Sequence, residues 1–164
     1  MKKILLLFLS ATFFATGFAQ EKSDQPVYLR FPVIPQFTVY KAPDSTAFTR
    51  ENLQKKRPVM FMVFSPDCGH CQHETEAILA NIKDFKNTQI VMVTYLPFEE
   101  MMTFYKTYRL SKYPQITVAR DTKFFFPVFY KVQNLPAIYI YDKKGDFKKG
   151  FEGSVKIDSL IAEL

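Results

Sequence analysis

The sequence predicts an α/β fold in a single domain, and three of its segments support this prediction. Residues 59–64 form a continuous apolar run of strand length, as expected of a strand that is covered on both faces. A helical pattern from Cys68 and a second apolar strand over 89–96 follow, and together they predict a parallel strand–helix–strand unit with a right-handed crossover. Two short strands around a turn at 142–145 predict a hairpin near the C-terminus.

The composition agrees with one folded domain and narrows the choice of partners. The chain has 164 residues, of which 48% are hydrophobic and 23% are charged, so intrinsic disorder is not expected. The net charge of +6 comes with short basic clusters at 55–57, 143–144 and 148–149, which are typical of a solvated surface. Because no basic stripe alternates with stacking aromatic residues, nucleic acid is not expected as a partner.

Residues 1–19 have the pattern of a secretory signal. Two lysines precede an apolar core over residues 4–15, and small residues at positions 17 and 19 define a cleavage site. The pattern predicts an exported protein of the periplasm or cell envelope, soluble after cleavage, whose net charge falls to +4 because two lysines are removed. The apolar core is shorter than the ~20 residues of a membrane-spanning helix, so stable membrane insertion is not expected, although a retained anchor stays open.

The segments before the first buried strand predict mostly extended structure. Residues 20–26 are polar and predict a flexible lead. Residues 27–41 alternate apolar and other side chains around Pro32 and Pro35, which confine this stretch to edge strands or extended arms. A turn is predicted at 44–45, and a short helix over 49–56 has Thr49 as its cap.

The rest of the chain predicts four further helices and three further strands. In the helix after Cys68 the side that faces the sheet carries Cys71, Thr75, Ile78, Leu79, Ile82 and Phe85. A helix over 98–109 has two glutamates in its first turn, where the helix dipole favours negative charge. A short strand is predicted within 113–120, and a helix over 121–132 must have Pro127 early in it or be kinked there. Strands at 137–141 and 146–151 form the hairpin, and an amphipathic helix over 154–164 ends the chain.

The only two cysteines, Cys68 and Cys71, form a Cys-Gly-His-Cys tetrad at the start of the helix. A disulfide that closes so short a loop contributes about 2 kcal/mol, against about 4.7 kcal/mol for a 100-residue loop, so the pair is better explained by chemistry than by stability. The helix N-terminus is expected to stabilise a thiolate at Cys68 and to lower its pKa, and thiolate is the attacking species. Cys71 lies one turn further on, faces inward, and is placed to resolve a mixed disulfide on Cys68.

On these residues the sequence resembles the thioredoxin superfamily, and within it the exported ResA- and TlpA-like thiol-disulfide oxidoreductases. The resemblance covers 35–164 and rests on the motifs at 64–71, Glu74, 130–142, Gly145 and 150–153. It implies a central mixed β-sheet flanked by helices, with an N-terminal extension at 20–34, a thioredoxin-like domain at 35–164 and a central insertion at 98–121. It also implies disulfide exchange with protein thiols and disulfides, without a cofactor, and a membrane electron donor or oxidant as a further partner.

The resemblance also implies roles for individual residues. Pro136 is expected to be cis and to stand beside the cysteines, and the backbone of Leu135 is expected to pair with substrate, whereas the sequence alone favours an ordinary trans proline. His70 between the cysteines is expected to tune the reduction potential, and Glu74 to exchange a proton with Cys71.

Two positions depart from family patterns. Asp67 replaces the tryptophan that commonly precedes the first cysteine, and its carboxylate is expected to oppose the Cys68 thiolate. Met62 occupies the place of the buried aspartate of cytoplasmic thioredoxins, which leaves Glu74 as the obvious carboxylate of the site. His73, on the next turn, is expected to face solvent.

Three other functions stay open. A peroxidase would use Cys68, but Phe61 and Ser65 replace the proline and threonine of the peroxiredoxin-like pattern. A copper or zinc metallochaperone would use the two cysteines with His70 and His73, yet four ligands within six residues at one helix start do not readily converge tetrahedrally, and no metal is expected. The third alternative is an interaction module with a vestigial motif.

Overall fold

A seven-stranded mixed sheet runs through the centre of the protein, in the order β2-β1-β5-β4-β3-β6-β7. The computed structural model describes residues 25–164, so the predicted signal segment and most of the polar lead lie outside the described residues. The strands are β1 (Thr38–Lys41), β2 (Ala47–Thr49), β3 (Val59–Val63), β4 (Gln89–Thr94), β5 (Ile116–Arg120), β6 (Ala137–Tyr141) and β7 (Phe147–Glu152). The helices are α1 (Val27–Arg30), α2 (Gly69–Ala80), α3 (Phe98–Thr107), α4 (Phe125–Tyr130) and α5 (Ile157–Ile161), with short 3-10 turns at Arg50–Asn52 and Leu110–Lys112.

The predicted parallel unit and hairpin are both confirmed. β3, β4 and β5 are parallel to one another, whereas β6 and β7 pair as an antiparallel hairpin and β6 also runs antiparallel to β3. Every residue of β3, β4 and β6 is buried, which is why these segments read as continuous apolar runs.

Two apolar clusters cover the two faces of the sheet. One face holds Met60, Met62 and Met92 together with Cys71 and Ile78 of α2 and residues of α3 and α5. The opposite face holds an aromatic cluster in which Phe61, Phe126, Tyr130, Tyr139 and Tyr141 are all buried. Because strand side chains alternate between faces, successive residues of β3 belong to different clusters.

The N-terminal prediction is correct at β1 but wrong at residues 27–30, which form the one-turn helix α1 and not an extended arm. The reason lies in tertiary packing. The Tyr28 ring contacts Tyr130, Tyr139 and Phe147 at centroid distances of 5.2–5.4 Å, and these partners lie more than a hundred residues away in the chain.

Four predicted helices are shorter than expected. The first is α2, which ends at Ala80, so Ile82 and Phe85 of the predicted helical face lie in the turns that follow it. The helix at Thr49 is a single 3-10 turn, in which Asn52 Oδ1 accepts hydrogen bonds from the Thr49 N–H (2.8 Å) and hydroxyl (3.1 Å). α4 begins only at Phe125, because the Asp121 carboxylate accepts the N–H groups of Lys123 and Phe126 and so holds residues 121–124 as a loop. Pro127 lies in the first turn of α4, as predicted. α5 begins only at Ile157.

Candidate active site

The Cys-x-x-Cys pair follows β3 and lies at the carboxyl ends of the parallel strands of the sheet. The chain leaves β3 at Val63, turns through Ser65, Pro66 and Asp67, and enters α2 with Cys68 as its N-cap. The Sγ of Cys68 accepts a hydrogen bond from the Cys71 N–H at 3.3 Å. This N–H is one of the donors that a helix start leaves without a backbone partner, and it favours negative charge on the sulfur.

Cys71 is fully buried beneath Cys68, which is half-buried. Burial raises the pKa of the Cys71 thiol well above its usual range, and the neighbouring Cys68 adds to this effect. The first turn of α2 is fixed by the Thr75 hydroxyl, which donates to the Cys71 carbonyl at 2.8 Å. The two sulfurs therefore occupy unlike environments, with one reachable from solvent and the other protonated and enclosed.

Glu74 lies on the same buried side of α2 as Cys71 and is only 1% exposed. Its Oε2 accepts the Val155 N–H at 3.1 Å, whereas Oε1 is buried without a hydrogen-bond partner in the described structure. Burial raises the pKa of the Glu74 carboxyl, although the Val155 N–H partly opposes this. A buried carboxyl of this kind can hold a proton near neutral pH more readily than a solvated one.

His70 is exposed, and its Nδ1 shares a hydrogen bond with the Ser154 hydroxyl at 3.0 Å. Together with the Glu74–Val155 bond, this contact attaches residues 154–155 to the active-site helix at two neighbouring points. The N-cap of α5 is Lys156, whose backbone is extended, and α5 therefore starts three residues later than predicted. His73 is exposed, as expected.

Asp67 is exposed and accepts a hydrogen bond from the Ser65 hydroxyl, which fixes the carboxylate beside Cys68. Asp67 is also among the groups that raise the pKa of Cys71, after burial and the contribution of Cys68. Met62 is fully buried on the same sheet face as Cys71.

Pro136 is buried at the start of β6, and the Leu135–Pro136 peptide bond is cis, as the resemblance implies. Strand pairing brings this loop to the cysteines, because Ala137 pairs with Val63 at the end of β3. The Pro136 carbonyl accepts the Gly153 N–H at 2.9 Å. Leu135 is the first residue beyond the β3–β6 ladder, and its backbone N–H and C=O have no partner within residues 25–164.

Glu152 is a residue of the site to which the sequence assigned no role. Its Oε2 accepts the N–H groups of Gln133 (3.1 Å) and Asn134 (3.0 Å), and its Oε1 accepts the Tyr139 hydroxyl (3.2 Å). Glu152 thus holds the loop that leads into Pro136. It belongs to one of the family-like motifs, but a contact across 18 residues leaves no signal in local spacing.

Within the described part of the chain, no three His, Cys, Asp or Glu side chains are grouped so that they hold a metal ion. None of the helices in residues 25–164 is long and apolar enough to cross a membrane.

No protein-family model matches the sequence, and no curated protein matches it significantly. Solved structures do match the fold. A secreted Mycobacterium tuberculosis disulfide oxidoreductase homologous to E. coli DsbE is 19% identical, with a TM-score of 0.65 over 78% of this chain and 93% of that chain. StoA from Bacillus subtilis is 15% identical, with a TM-score of 0.60 over 80% and 97% of the two chains.

A peroxiredoxin-like protein from Aquifex aeolicus is 16% identical, with a TM-score of 0.63 over 79% of this chain and 82% of that chain. These likenesses agree with the mixed sheet and the helices that flank it. The chain therefore has the thioredoxin fold.

Proposed function

We propose that this protein is an exported thiol-disulfide oxidoreductase that exchanges disulfides with protein thiols and disulfides. The observation that carries the proposal is the unlike environment of the two sulfurs. Cys68 is half-buried and accepts an N–H at the start of α2, whereas Cys71 is enclosed one turn below it with a raised pKa. That difference supports attack by Cys68 and resolution by Cys71.

In the reducing direction, the Cys68 thiolate attacks one sulfur of a substrate disulfide. The substrate S–S bond breaks, a mixed disulfide forms on Cys68, and the released substrate thiolate takes up a proton. Cys71 then loses its proton and attacks the Cys68 sulfur, which releases the second substrate thiolate and leaves a Cys68–Cys71 disulfide. Two electrons pass from the protein to the substrate, and the same steps in reverse oxidise a substrate dithiol.

Neighbouring residues have supporting roles in this proposal. Glu74 accepts the Cys71 proton, because it lies on the same buried side of α2 and has an oxygen without a partner. The free backbone groups of Leu135 pair with an extended substrate segment, and cis Pro136 holds them beside Cys68. His70 and Asp67 tune the potential of the pair.

Export rests on the signal pattern of residues 1–19 and places the reaction in the periplasm or cell envelope. There a membrane electron donor would reduce the Cys68–Cys71 disulfide of a reductase again, and an oxidant would restore that disulfide in an oxidase. The N-terminus of protein isolated from the envelope fraction tests this part. Cleavage after Ala19 is expected, and an intact Met1 would replace it with a retained anchor.

The decisive experiment is trapping with Cys71→Ser in the native compartment. This variant is expected to accumulate mixed disulfides on Cys68 with exported proteins, because the resolving sulfur is gone. The matched control, Cys68→Ser, keeps one cysteine but is expected to trap nothing, since Cys71 is buried. Equal amounts of mixed disulfide with the two variants, or no mixed disulfide with either, would contradict the proposal.

Purified protein separates the remaining alternatives. Rapid turnover of hydrogen peroxide would favour a peroxidase, although Ser65 donates to Asp67 and Phe61 is buried in the aromatic cluster, which does not suit that chemistry. Copper bound after reducing purification would favour a metallochaperone.

A further inference from the structure

A groove opens at Pro66 and Asp67, the two residues that precede Cys68 in the chain. Its volume is about 390 Å³, and it lies between the turn that precedes α2 and the outer face of α3. One wall carries Pro66, Asp67 and Gln72, and the other carries Glu100 and Tyr108. Asp67 is the residue immediately before the attacking cysteine, so one wall of the groove is part of the turn that leads into that cysteine.

The charge of this groove is opposite to that of the whole chain. Asp67 and Glu100 are both exposed, and no lysine or arginine lines the groove in the described structure. The one ion pair found within residues 25–164 joins Lys148 to Glu163, so neither groove carboxylate is neutralised by a basic side chain. The chain as a whole carries a net charge of +6.

A third carboxylate adds to the negative potential at the far end of the groove. Glu76 is exposed on α2 and, after burial, is the group that raises the pKa of Tyr108. Tyr108 packs on Phe104 with ring centroids 4.6 Å apart, so the groove combines negative charge with an aromatic wall. An aromatic ring beside carboxylates suits the long apolar stem and charged end of a basic side chain.

We propose that this groove receives the polypeptide segment next to the reacting cysteine of the substrate and selects substrates that carry lysine or arginine there. The inference rests on the proposed exchange activity and names its substrate class. An extended chain advances about 3.3–3.6 Å per residue, so a basic residue near the substrate cysteine reaches Asp67 first and Glu100 further along. Charge complementarity at such a rim acts mainly on the association rate and on the choice of partner.

The test uses two peptides of equal length with one cysteine each, flanked by lysines in one and by glutamates in the other. Each peptide carries 2-nitro-5-thiobenzoate on its cysteine as a mixed disulfide, and reduced full-length mature protein is mixed with it in single turnover. Attack by Cys68 breaks the S–S bond and releases one coloured thiolate. Dividing each rate by the rate with free dithiothreitol removes the intrinsic reactivity of the peptide.

The lysine peptide is expected to react at least about fivefold faster than the glutamate peptide at low salt, because one close charge contact in water is worth about 1 kcal/mol. The preference is expected to shrink at 1 M salt, where the screening length falls to about 3 Å. Glu100→Gln should lower the rate ratio of the two peptides about threefold, and Glu100→Lys should lower it further.

Glu99→Gln is the matched control. Glu99 is the adjacent exposed glutamate of α3, but it does not line the groove; it lines a neighbouring depression with Met102 and Lys106, which shares Thr103 with the groove. The control should keep the wild-type rate ratio. An equal ratio for wild type and Glu100→Gln, or an equal fall in the Glu99→Gln control, would overturn the inference. Failure of both peptides to react would instead contradict the proposed function itself.

Discussion

Single residues of the site differ mainly in how much water reaches them. Cys68 and Cys71 have the same side chain, and Glu74 and Glu76 lie on the same helix, yet one member of each pair is buried and the other is at least partly exposed. Burial disfavours the charged form of a thiol or carboxyl, so it is burial that makes the two sulfurs, and the two glutamates, chemically unlike.

Glu74→Gln tests the burial of this carboxyl through the pH dependence of stability. A raised folded pKa means that the folded state binds the proton more tightly than the unfolded state. The contribution of Glu74 to stability is therefore fully present below its unfolded pKa near 4.5 and is lost as the pH rises through the folded value. Removing the titration should make Glu74→Gln gain stability relative to wild type between pH 4 and pH 7.

Denaturant unfolding of the reduced protein at both pH values gives the measurement. Glu76→Gln, an exposed position on the same helix, is the control and should show no such gain. A Glu74→Gln variant whose relative stability is the same at pH 4 and pH 7 would mean that the carboxyl titrates as a solvated one. Glutamine keeps an acceptor for the Val155 N–H, so the variant is expected to fold.

At the scale of secondary-structure elements, the β6–β7 hairpin determines the position of the cis-proline loop. Gly150 pairs with Tyr139 across the hairpin, and a Cβ at Gly150 would lie 3.2 Å from the Tyr139 ring. The absence of a side chain at Gly150 lets this ring lie close to the backbone of β7. Tyr139 in turn donates to Glu152, so the close approach supports the carboxylate that holds residues 133–134.

Gly150→Ala is expected to destabilise the protein by about 1–3 kcal/mol, because the added methyl group must displace a buried ring. Gly69→Ala is the matched control, since a Cβ there meets nothing within 4 Å. It should change stability by less than about 1 kcal/mol, in the stabilising direction if at all. Thermal unfolding of both variants in the reduced state measures the difference in stability. Equal changes in stability for the two variants would show that the Tyr139 ring moves aside without destabilising the protein.

The loop before Pro136 gives a second prediction at this scale, with Glu152 as a positioning residue. Glu152→Ala removes the acceptor for two N–H groups and should lower the rate with a protein disulfide roughly fivefold, the equivalent of about 1 kcal/mol. The reduction potential of the Cys68–Cys71 pair should stay unchanged, because Glu152 contacts the backbone at Gln133 and Asn134 and not the sulfurs.

Glu152→Gln keeps a carbonyl oxygen for the loop and should recover most of the rate. Lys149→Gln, an exposed position on the same strand, serves as the control. A change in potential that matches the change in rate would assign Glu152 to the tuning of the sulfurs, which is contrary to the prediction.

At the scale of the whole molecule, α1 covers part of the sheet face that carries the aromatic cluster. Tyr28 of α1 lies against rings from α4, β6 and β7, so a segment that precedes the sheet in sequence covers its last two strands. The cysteines lie on the opposite face with α2 and α3. The N-terminal segment therefore contributes to stability without entering the active site.

Tyr28→Ala is expected to cost about 2 kcal/mol of unfolding free energy, because it removes three ring contacts from a half-buried side chain. The rate of disulfide exchange in the folded protein should not change. Tyr28→Phe should retain most of the stability, and Leu29→Ala, an exposed position on α1, should lose less than about 0.5 kcal/mol. Equal losses for Tyr28→Ala and Leu29→Ala would contradict a specific role for the tyrosine ring.

The sequence by itself determined the local features of this protein. The continuous apolar runs identified β3, β4 and β6, because strands covered on both faces are apolar along most of their length. The Cys-x-x-Cys spacing after β3 placed Cys68 at a helix start, and a spacing of three residues placed Glu74 beside Cys71 on one face. Each of these signals acts within a few residues of the chain.

Only the tertiary structure decided what joins distant segments. Residues 27–30 form a helix where the Tyr28 ring packs on β6 and β7. The start of α5 is delayed where the Val155 N–H is bonded to Glu74. Glu152 of β7 accepts the backbone N–H groups of residues 133–134, which precede β6. The acidic groove likewise combines Asp67 with Glu100, which lie far apart in the chain. Such contacts depend on the arrangement of whole elements around the sheet, and no local spacing encodes that arrangement.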